Sequence, residues 1–593
     1  MSNYLNLKQA LLELKKNEEQ FEAVNCKNHC VVLAGPGSGK TKTLTTAIAR
    51  TLHEEVINPR AIACITYNNE CAIELETRLS KFGIESNGQN FIGTVHSFAL
   101  TQIIIPYARC IEGLVPKNFK VANLLECKIA IESAYKTVYN DSEDPKTQWD
   151  FANEKRNKEV DRTLPTWKGH NRELAEFVEE YELALRKKGL IDFDDMPLIA
   201  FKMIKENPWI RQALEARFPI LFVDEYQDLG HVLHELVHLL CFEGKIRLFA
   251  VGDADQSIYG FTGANPELLQ SLTERQDVQT IQLRFNYRSG TKIVKASSAV
   301  LNEERNYESP EGSPEGEIIF HPVIGALEEQ AYYIVNNILT ELAFRGVKNE
   351  QIAILYKAAW LGDKIVEALE QKKVAYHRTD RNSLIKRSSR FARFIEECAK
   401  WVTGGWKYAE PSFNRLFKQA LNIVYGNHCT QSEKQTLEQQ LIDFLQRSRL
   451  VHETANEWLI RFEKELIVHW SSICRNNIQE WDICLELIQK TSPEMNKDMS
   501  LELFSGKTEG TGRLTLTTFH SSKGREFDAV IIFGANKGIL PDKRDIKTFK
   551  SLKEVRRLFY VAVTRPKTIL HLVYQSKNHS EFLNEFYRRT QQS

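Results

Sequence analysis

The chain has 593 residues, room for about four domains at ~150 residues each, and its 78 Lys plus Arg balance 78 Asp plus Glu to a formal net charge of zero. That balance excludes a globally basic nucleic-acid binder, so such a contact has to come from a local basic groove. No apolar run approaches the ~18 residues of a membrane span, Met1–Lys16 lacks the apolar centre of a signal peptide, and the eleven cysteines follow no repeating spacing, so a chain without a membrane partner in a reducing cytoplasm is expected.

In chain order, Met1–Asn25 reads as helix, with Leu5, Leu12, Phe21 and Val24 among its apolar positions. Gln20 within it carries no signal by itself. Cys26, His29 and Cys30 are the nearest approach to a metal-ligand spacing, but no second pair answers them and packing is the expected role. Val31–Leu33 is a short apolar strand. Ala34-Gly35-Pro36-Gly37-Ser38-Gly39 is too glycine-rich for helix or strand, and Lys40-Thr41 opens a helix, Thr41–Leu52. Strand, glycine loop, Lys-Thr and helix form a phosphate-binding P-loop. Glycines let backbone amides approach phosphate oxygens, and the helix N-terminus adds unpaired N–H groups and partial positive charge. Lys40 is placed to reach the β- and γ-phosphates and the Thr41 hydroxyl to ligate Mg²⁺. Ala34 stands where the strict pattern has Gly.

Ala61–Ile65 is the next strand and ends in Thr66-Tyr67-Asn68-Asn69; a helix over Glu70–Phe82 and a strand over Phe91–Gly93 follow, the latter ending in Thr94-Val95-His96-Ser97. Polar and aromatic residues at strand C-termini mark the ligand edge of an open parallel sheet. From Ile105 to about Lys188 the chain turns charged and helical, an insertion. Asp192, Asp194 and Asp195 then read as a turn and helix cap in preference to a metal site. Ile220–Val223 is a buried strand ending in Asp224-Glu225, two acids suited to holding Mg²⁺ and taking a proton from an attacking water. Leu248–Gly252 and Ile281–Leu283 complete this core. Asn302–Gly316 reads as a loop.

Ile352–Leu355, Leu514–Thr517, Ala529–Phe533 and Ile569–Val573 are four further strands. They imply a second α/β core, split by a helical stretch from about Glu396 to Lys507 whose tryptophans at 401, 406, 458, 470 and 481 are expected in its packing. Arg378, Arg381, Lys386, Arg387, Arg390 and Arg393 form a basic run that suits either phosphate contact or a solvated helix face.

In this order the motifs resemble the UvrD/Rep/PcrA family of superfamily 1A DNA helicases. Gln20 resembles the family's adenine-reading glutamine, Ala34–Thr41 its P-loop, and Thr66–Asn69 and Gly93–Ser97 its early DNA-contact motifs. Val223–Asp228 resembles its Asp-Glu-x-Gln-Asp box, Gly252–Ala264 its Gly-Asp-x-x-Gln-Ser-Ile-Tyr motif, and Asn286–Ser289 its nucleotide-sandwich motif. Thr517–Phe527 and Arg557–Arg565 resemble its last two.

The resemblance implies an α/β protein with two RecA-like P-loop parallel-sheet cores, each carrying a mainly helical insertion. The first core would span 1–105 and 189–285 with its insertion at 106–188; the second would span 286–395 and 508–593 with a reduced insertion at 396–507. ATP and Mg²⁺ are the implied cofactors. Lys40, Glu225, Gln256, Arg288 and Arg565 would carry catalysis, the two arginines coming from the second core. Gln20, Ala34–Thr41, Tyr287 and Glu526 would hold the nucleotide, and Thr41 and Asp224 the metal. Tyr67, Thr94, His96, Tyr259, Phe261 and His520 would contact single-stranded DNA. The implied activity is ATP-dependent 3′→5′ translocation or unwinding; the alternative is a DNA- and nucleotide-sensing ATPase subunit beside a nuclease partner, as in anti-phage systems such as Gabija. Phe261-Thr262 replaces the family's usual Trp-Arg, and Pro566 follows Arg565 where alanine is usual.

Overall fold

The computed structural model describes residues 2–67, 69–84, 90–111, 113–116, 118–140, 144–169, 171–260, 263–301, 303, 305–380, 384–385, 389–407, 411–426, 429–474, 481–493, 499–506 and 512–592. Two compact units result: one of Met1–Glu317, Pro541–Thr568 and Glu581–Ser593, the other of Ile318–Leu540 and Ile569–Ser580.

The first unit is built on β1 (His29–Ala34), β2 (Ala63–Thr66), β3 (Phe91–Thr94), β6 (Ile220–Val223), β7 (Arg247–Gly252) and β8 (Val278–Leu283). Their order is β3-β2-β6-β7-β1-β8, and every neighbouring pair is parallel. Central strands such as Ile220–Val223 are buried throughout, as a sheet covered on both faces requires. The register pairs Leu33 with Gly252, Val223 with Ala250 and Thr66 with Thr94. All six strands therefore deliver their C-terminal residues to one edge.

Two short strands, β4 (Lys120–Val121) and β5 (Leu190–Ile191), pair in parallel and bracket the helical insertion. Its helices, Leu124–Tyr139, Lys146–Lys158, Thr166–Gly169 and Arg172–Lys187, pack around Trp167, Phe177 and Tyr181. Asp192 and Asp195 are spent here. The fully buried Arg156 guanidinium meets Asp192 at 2.8 Å, Asp195 at 2.8 Å and Glu182 at 2.9 Å, and Asp192 Oδ1 accepts the Asp195 amide at the start of helix Asp195–Glu206. The turn is present through the Asp192 side chain, while Asp194 at the N-cap position makes no side-chain cap bond, and a buried ion-pair hub adjoins it.

The second unit holds β9 (Glu317–Val323), β10 (Ile352–Tyr356), β11 (Tyr376–Arg378), β12 (Leu514–Thr518), β13 (Phe527–Ile532) and β14 (Pro566–Gln575), ordered β11-β12-β10-β13-β14-β9. The pairs β10–β12, β10–β13 and β11–β12 are parallel. Its helical region packs around Trp401, Trp458 and Trp470, with Trp481 against the same cluster; Trp406 is 38% exposed and stacked under Arg449 at 3.6 Å. The chain is thus two parallel-sheet α/β cores, each flanked by a helical region. Among the described residues no helix is long and apolar enough to cross a membrane.

Candidate functional site

The Gly35–Gly39 loop joins β1 to helix Lys40–Glu54, and Gly37 (φ 69°) and Gly39 (φ 82°) adopt the left-handed backbone that favours glycine. Space enforces the same choice. A Cβ on Gly37 would lie 2.4 Å from Asn286 Oδ1 and 2.7 Å from Arg288 Cβ, and one on Gly39 2.5 Å from Gln20 Nε2. The loop is gripped from outside: Gln20 Nε2 donates to the Ser38 carbonyl at 2.8 Å, and the Tyr287 amide donates to the Gly37 carbonyl at 2.8 Å. Ala34 is the last, buried residue of β1, and Ser38 Oγ donates back to the Gly35 carbonyl at 2.7 Å across Pro36.

Lys40 Nζ is buried and makes no hydrogen bond within the protein. It faces Glu225 Oε1 at 3.4 Å. The ammonium has an ion-pair partner but no hydrogen-bond acceptor, a setting that favours a further anion such as a phosphate. Glu225 follows β6 with φ 50°, a strained setting for a non-glycine residue and one typical of functional sites. Its other carboxylate oxygen accepts from Gln227 Nε2, and Gln227 Oε1 accepts the Asp253 amide at 2.8 Å. Asp224 is buried; burial first, then Glu225, pushes its pKa up to about 7, with Lys40 opposing. Thr41 and Asp224 carry hard oxygen atoms of the kind that Mg²⁺ takes.

Gln256 connects two groups. Its Nε2 donates to Asp253 Oδ2 at 2.5 Å, and its Oε1 accepts from Arg565 Nη2 at 3.4 Å. Arg565 is 1% exposed; burial, then Arg288, lowers its pKa to about 9. Arg288 Nη1 donates to the Thr564 carbonyl at 3.4 Å. Both arginines fall within the first compact unit, and Arg565 immediately precedes β14. Tyr287 is 52% exposed and its hydroxyl accepts from Asn17 Nδ2 at 2.8 Å. Gln20, Ala34–Thr41, Asp224, Glu225, Gln256, Tyr287, Arg288 and Arg565 thus belong to one sheet edge.

The aromatic candidates form a second set. Tyr67 and Tyr259 stack with centroids 4.8 Å apart at 22°. Thr94 caps the next helix by accepting the Ser97 amide. His96 stacks on Phe193 at 3.9 Å and 17°, and burial lowers its pKa to about 4. His520 and Glu526 belong to the second unit, His520 opening a short helical turn after β12. Phe261 and Thr262 lie outside the described residues, as do Asn68, Arg381, Lys386 and Arg387. Arg378 is spent on Asp363 and Asp380 at 2.7 and 2.8 Å, which removes it from the basic run. Cys26 donates to Gln279 Oε1, and His29 Nδ1 accepts the Leu248 amide.

Sequence reasoning missed several participants. Asn17 fixes both Gln20, whose amide it caps at 2.9 Å, and Tyr287. Tyr307 packs where a Gly35 Cβ would come within 2.4 Å of its ring, and Arg305 pairs with Asp255 at 2.5 Å; both lie in the segment read as loop. Phe193, 56% exposed, was hidden among acids. The Asn17-Glu18-Glu19 cap signal was available; the others depend on long-range packing.

Compared with known proteins, residues 16–277 match the UvrD/REP helicase N-terminal domain, and residues 281–389 and 476–577 match the UvrD-like helicase C-terminal domain. The chain is 27% identical to the ATP-dependent DNA helicase Rep of Buchnera aphidicola, over 94% of each chain. It is 26% identical to the ATP-dependent DNA helicase PcrA of Leuconostoc citreum, over 97% of this chain and 83% of the relative. It is 27% identical to DNA helicase II of Salmonella typhimurium, over 94% and 84%.

Proposed function

The chain belongs to the UvrD/Rep/PcrA-like family of superfamily 1A helicases, and from that membership we propose that it is a DNA-dependent ATPase that translocates 3′→5′ on single-stranded DNA. The observation that carries the reading is the buried Lys40 ammonium, without a hydrogen bond and set 3.4 Å from Glu225. An ATP phosphate satisfies the lysine and leaves the carboxylate beside the attacking water.

In this reading the P-loop amides and Lys40 bind the β- and γ-phosphates, and Tyr287 lays its ring against the adenine while Gln20 reads the base edge. When bound at Thr41 and Asp224, Mg²⁺ supplies charge neutralisation at the phosphate oxygens. Glu225 accepts a proton from the water that attacks the γ-phosphorus, as the bond to the bridging oxygen breaks and ADP leaves. Arg288 and Arg565 stabilise the charge on the transferring group, a role worth about 10³–10⁵ in rate for an arginine finger. Arg565 adjoins β14 and Gln256 adjoins the segment carrying Tyr259. In this reading, loss of the γ-phosphate is sensed at Gln256 and Arg565, which meet at 3.4 Å. Tyr67, Tyr259 and Phe261 stack bases, while Thr94, His96 and His520 meet the backbone.

The test is steady-state ATP hydrolysis with and without an oligodeoxythymidine. Stimulation that weakens with salt, through counterion release, is expected; a rate indifferent to single strands, duplexes and tailed duplexes would overturn the reading.

A further inference from the structure

Trp360 is 46% exposed, although it lies only four residues past the end of the buried strand β10, at the start of helix Ala359–Gln371. Its neighbours Ala359, Leu361 and Gly362 are buried, so the indole alone of this turn faces solvent. The turn is fixed from beneath. Arg378 donates from Nη2 to the Ala359 carbonyl at 2.6 Å and from Nη1 to Asp363 Oδ1 at 2.7 Å, one contact on each side of Trp360. Asp380 holds the same guanidinium through Nε at 2.8 Å and accepts from the Tyr356 hydroxyl at 2.6 Å. Gly362 lets the helix settle on this cluster, since a Cβ there would lie 2.5 Å from the Tyr356 hydroxyl. A large aromatic thus stands half-exposed on a turn that is fixed from beneath. Among the described residues no ring or cation stacks on it.

The surroundings point to a ligand. Tyr356 pairs with Thr518, and the Phe519 amide donates to the Tyr356 carbonyl at 2.9 Å; the end of β10 therefore lies beside the turn that carries His520. On the far side of β12 the Thr379 amide donates to Leu516, and Arg525 Nη1 donates to Thr379 Oγ1 at 3.1 Å. The C-terminal edge of this sheet carries Lys357, Trp360 and His520; the connection then runs through Lys523 and Arg525 toward the opposite end, where Glu526 precedes β13. An exposed aromatic on the same sheet edge as Lys357 and His520 suits a polyanion with flat bases better than an apolar protein surface.

We propose that Trp360 is a base-stacking platform for single-stranded nucleic acid on the second unit, with Arg378 as its positioning residue. The inference rests on the nucleic-acid reading above and adds a contact that reading does not contain.

The experiment measures binding of a fluorescein-labelled oligodeoxythymidine by anisotropy for the full parent chain, W360A and W360F. Loss of a stacked base weakens Kd by about tenfold in W360A, while W360F, which keeps a ring, stays within about threefold of the parent. The slope of log Kd against log salt is unchanged in both, because no phosphate contact is removed, and the ATPase rate without DNA is unchanged. The parent-minus-W360F tryptophan emission is quenched by saturating oligodeoxythymidine, a readout that does not need W360A to fold. Equal affinities for parent and W360A, or a difference emission that ignores the DNA, overturn this inference alone. A parent that binds no single strand overturns it together with the reading beneath it.

Discussion

Lys40 Nζ stands 3.4 Å from Glu225 Oε1, with only a small fraction of either side chain exposed. The pair sets the resting charge of the site, and its members have separable roles. Lys40→Ala removes charge at the phosphates and is expected to abolish both nucleotide binding and turnover. Glu225→Gln keeps the shape, so nucleotide binding persists while turnover falls by about 10²–10⁴ through loss of the base. Equilibrium binding of a fluorescent nucleotide beside steady-state hydrolysis separates the two. Parent-rate hydrolysis by Glu225→Gln would remove it from the chemistry.

Asn17 acts on the nucleotide site through two contacts: its Oδ1 caps the Gln20 amide, and its Nδ2 donates to the Tyr287 hydroxyl. Asn17→Ser keeps an oxygen for the cap and loses the second contact; Tyr287→Phe loses the same contact from the other end. Each is expected to raise KM for ATP several-fold with kcat little changed, as a net hydrogen-bond contribution of about 0.5–1.5 kcal/mol implies. The double variant should be no worse than the poorer single one. Fully additive losses would show that the two residues act independently.

His96 supplies a pH signature. Burial holds its pKa down to about 4, against a partial opposing pull from Asp192. The folded protein therefore keeps the ring neutral, while the unfolded chain takes up a proton below the ordinary value of about 6.5. The stabilising contribution is complete above that value and is lost as pH falls toward 4. Tm measured from pH 7.5 to 5 should fall less steeply in His96→Asn than in the parent, even though the variant loses the stack on Phe193. Parallel curves would contradict this assignment of the pH dependence.

The strands that position the site were legible because each is a short apolar run closed by polar residues, as in Ile220–Val223 before Asp224. Most owe that to burial on both faces, whereas β8, at an end of the first sheet, alternates buried and exposed residues. β9 and β11 were not legible. They lie at the two ends of the second sheet and show half-buried patterns without a clear period, as edge strands do. Met1–Asn25 is two helices, Ser2–Leu14 and Glu18–Asn25, because Asn17 caps the second. Lys40 and Thr41 announced themselves through local spacing. Tyr307 and Arg305 did not, since their roles depend on contacts with Gly35 and Asp255 that lie far away in sequence. Trp360 carries no local signal, since an isolated aromatic at the start of a helix has no spacing that marks it.

On the proposal that the insertion at 396–507 is reduced and so offers less surface for separating strands, the isolated chain is expected to move along DNA well and to unwind long duplexes weakly. A sensor subunit serving a nuclease partner would share the ATP chemistry but show no sustained movement. The most direct measurement is ATP-driven displacement of streptavidin from biotin at either end of a single-stranded oligonucleotide, in single turnover, with Glu225→Gln as the control. Displacement from the 5′-end by the parent, absent at the 3′-end and absent in the control, is the expected result. Displacement confined to the 3′-end would reverse the polarity, and DNA-stimulated hydrolysis without displacement at either end would contradict the motor itself.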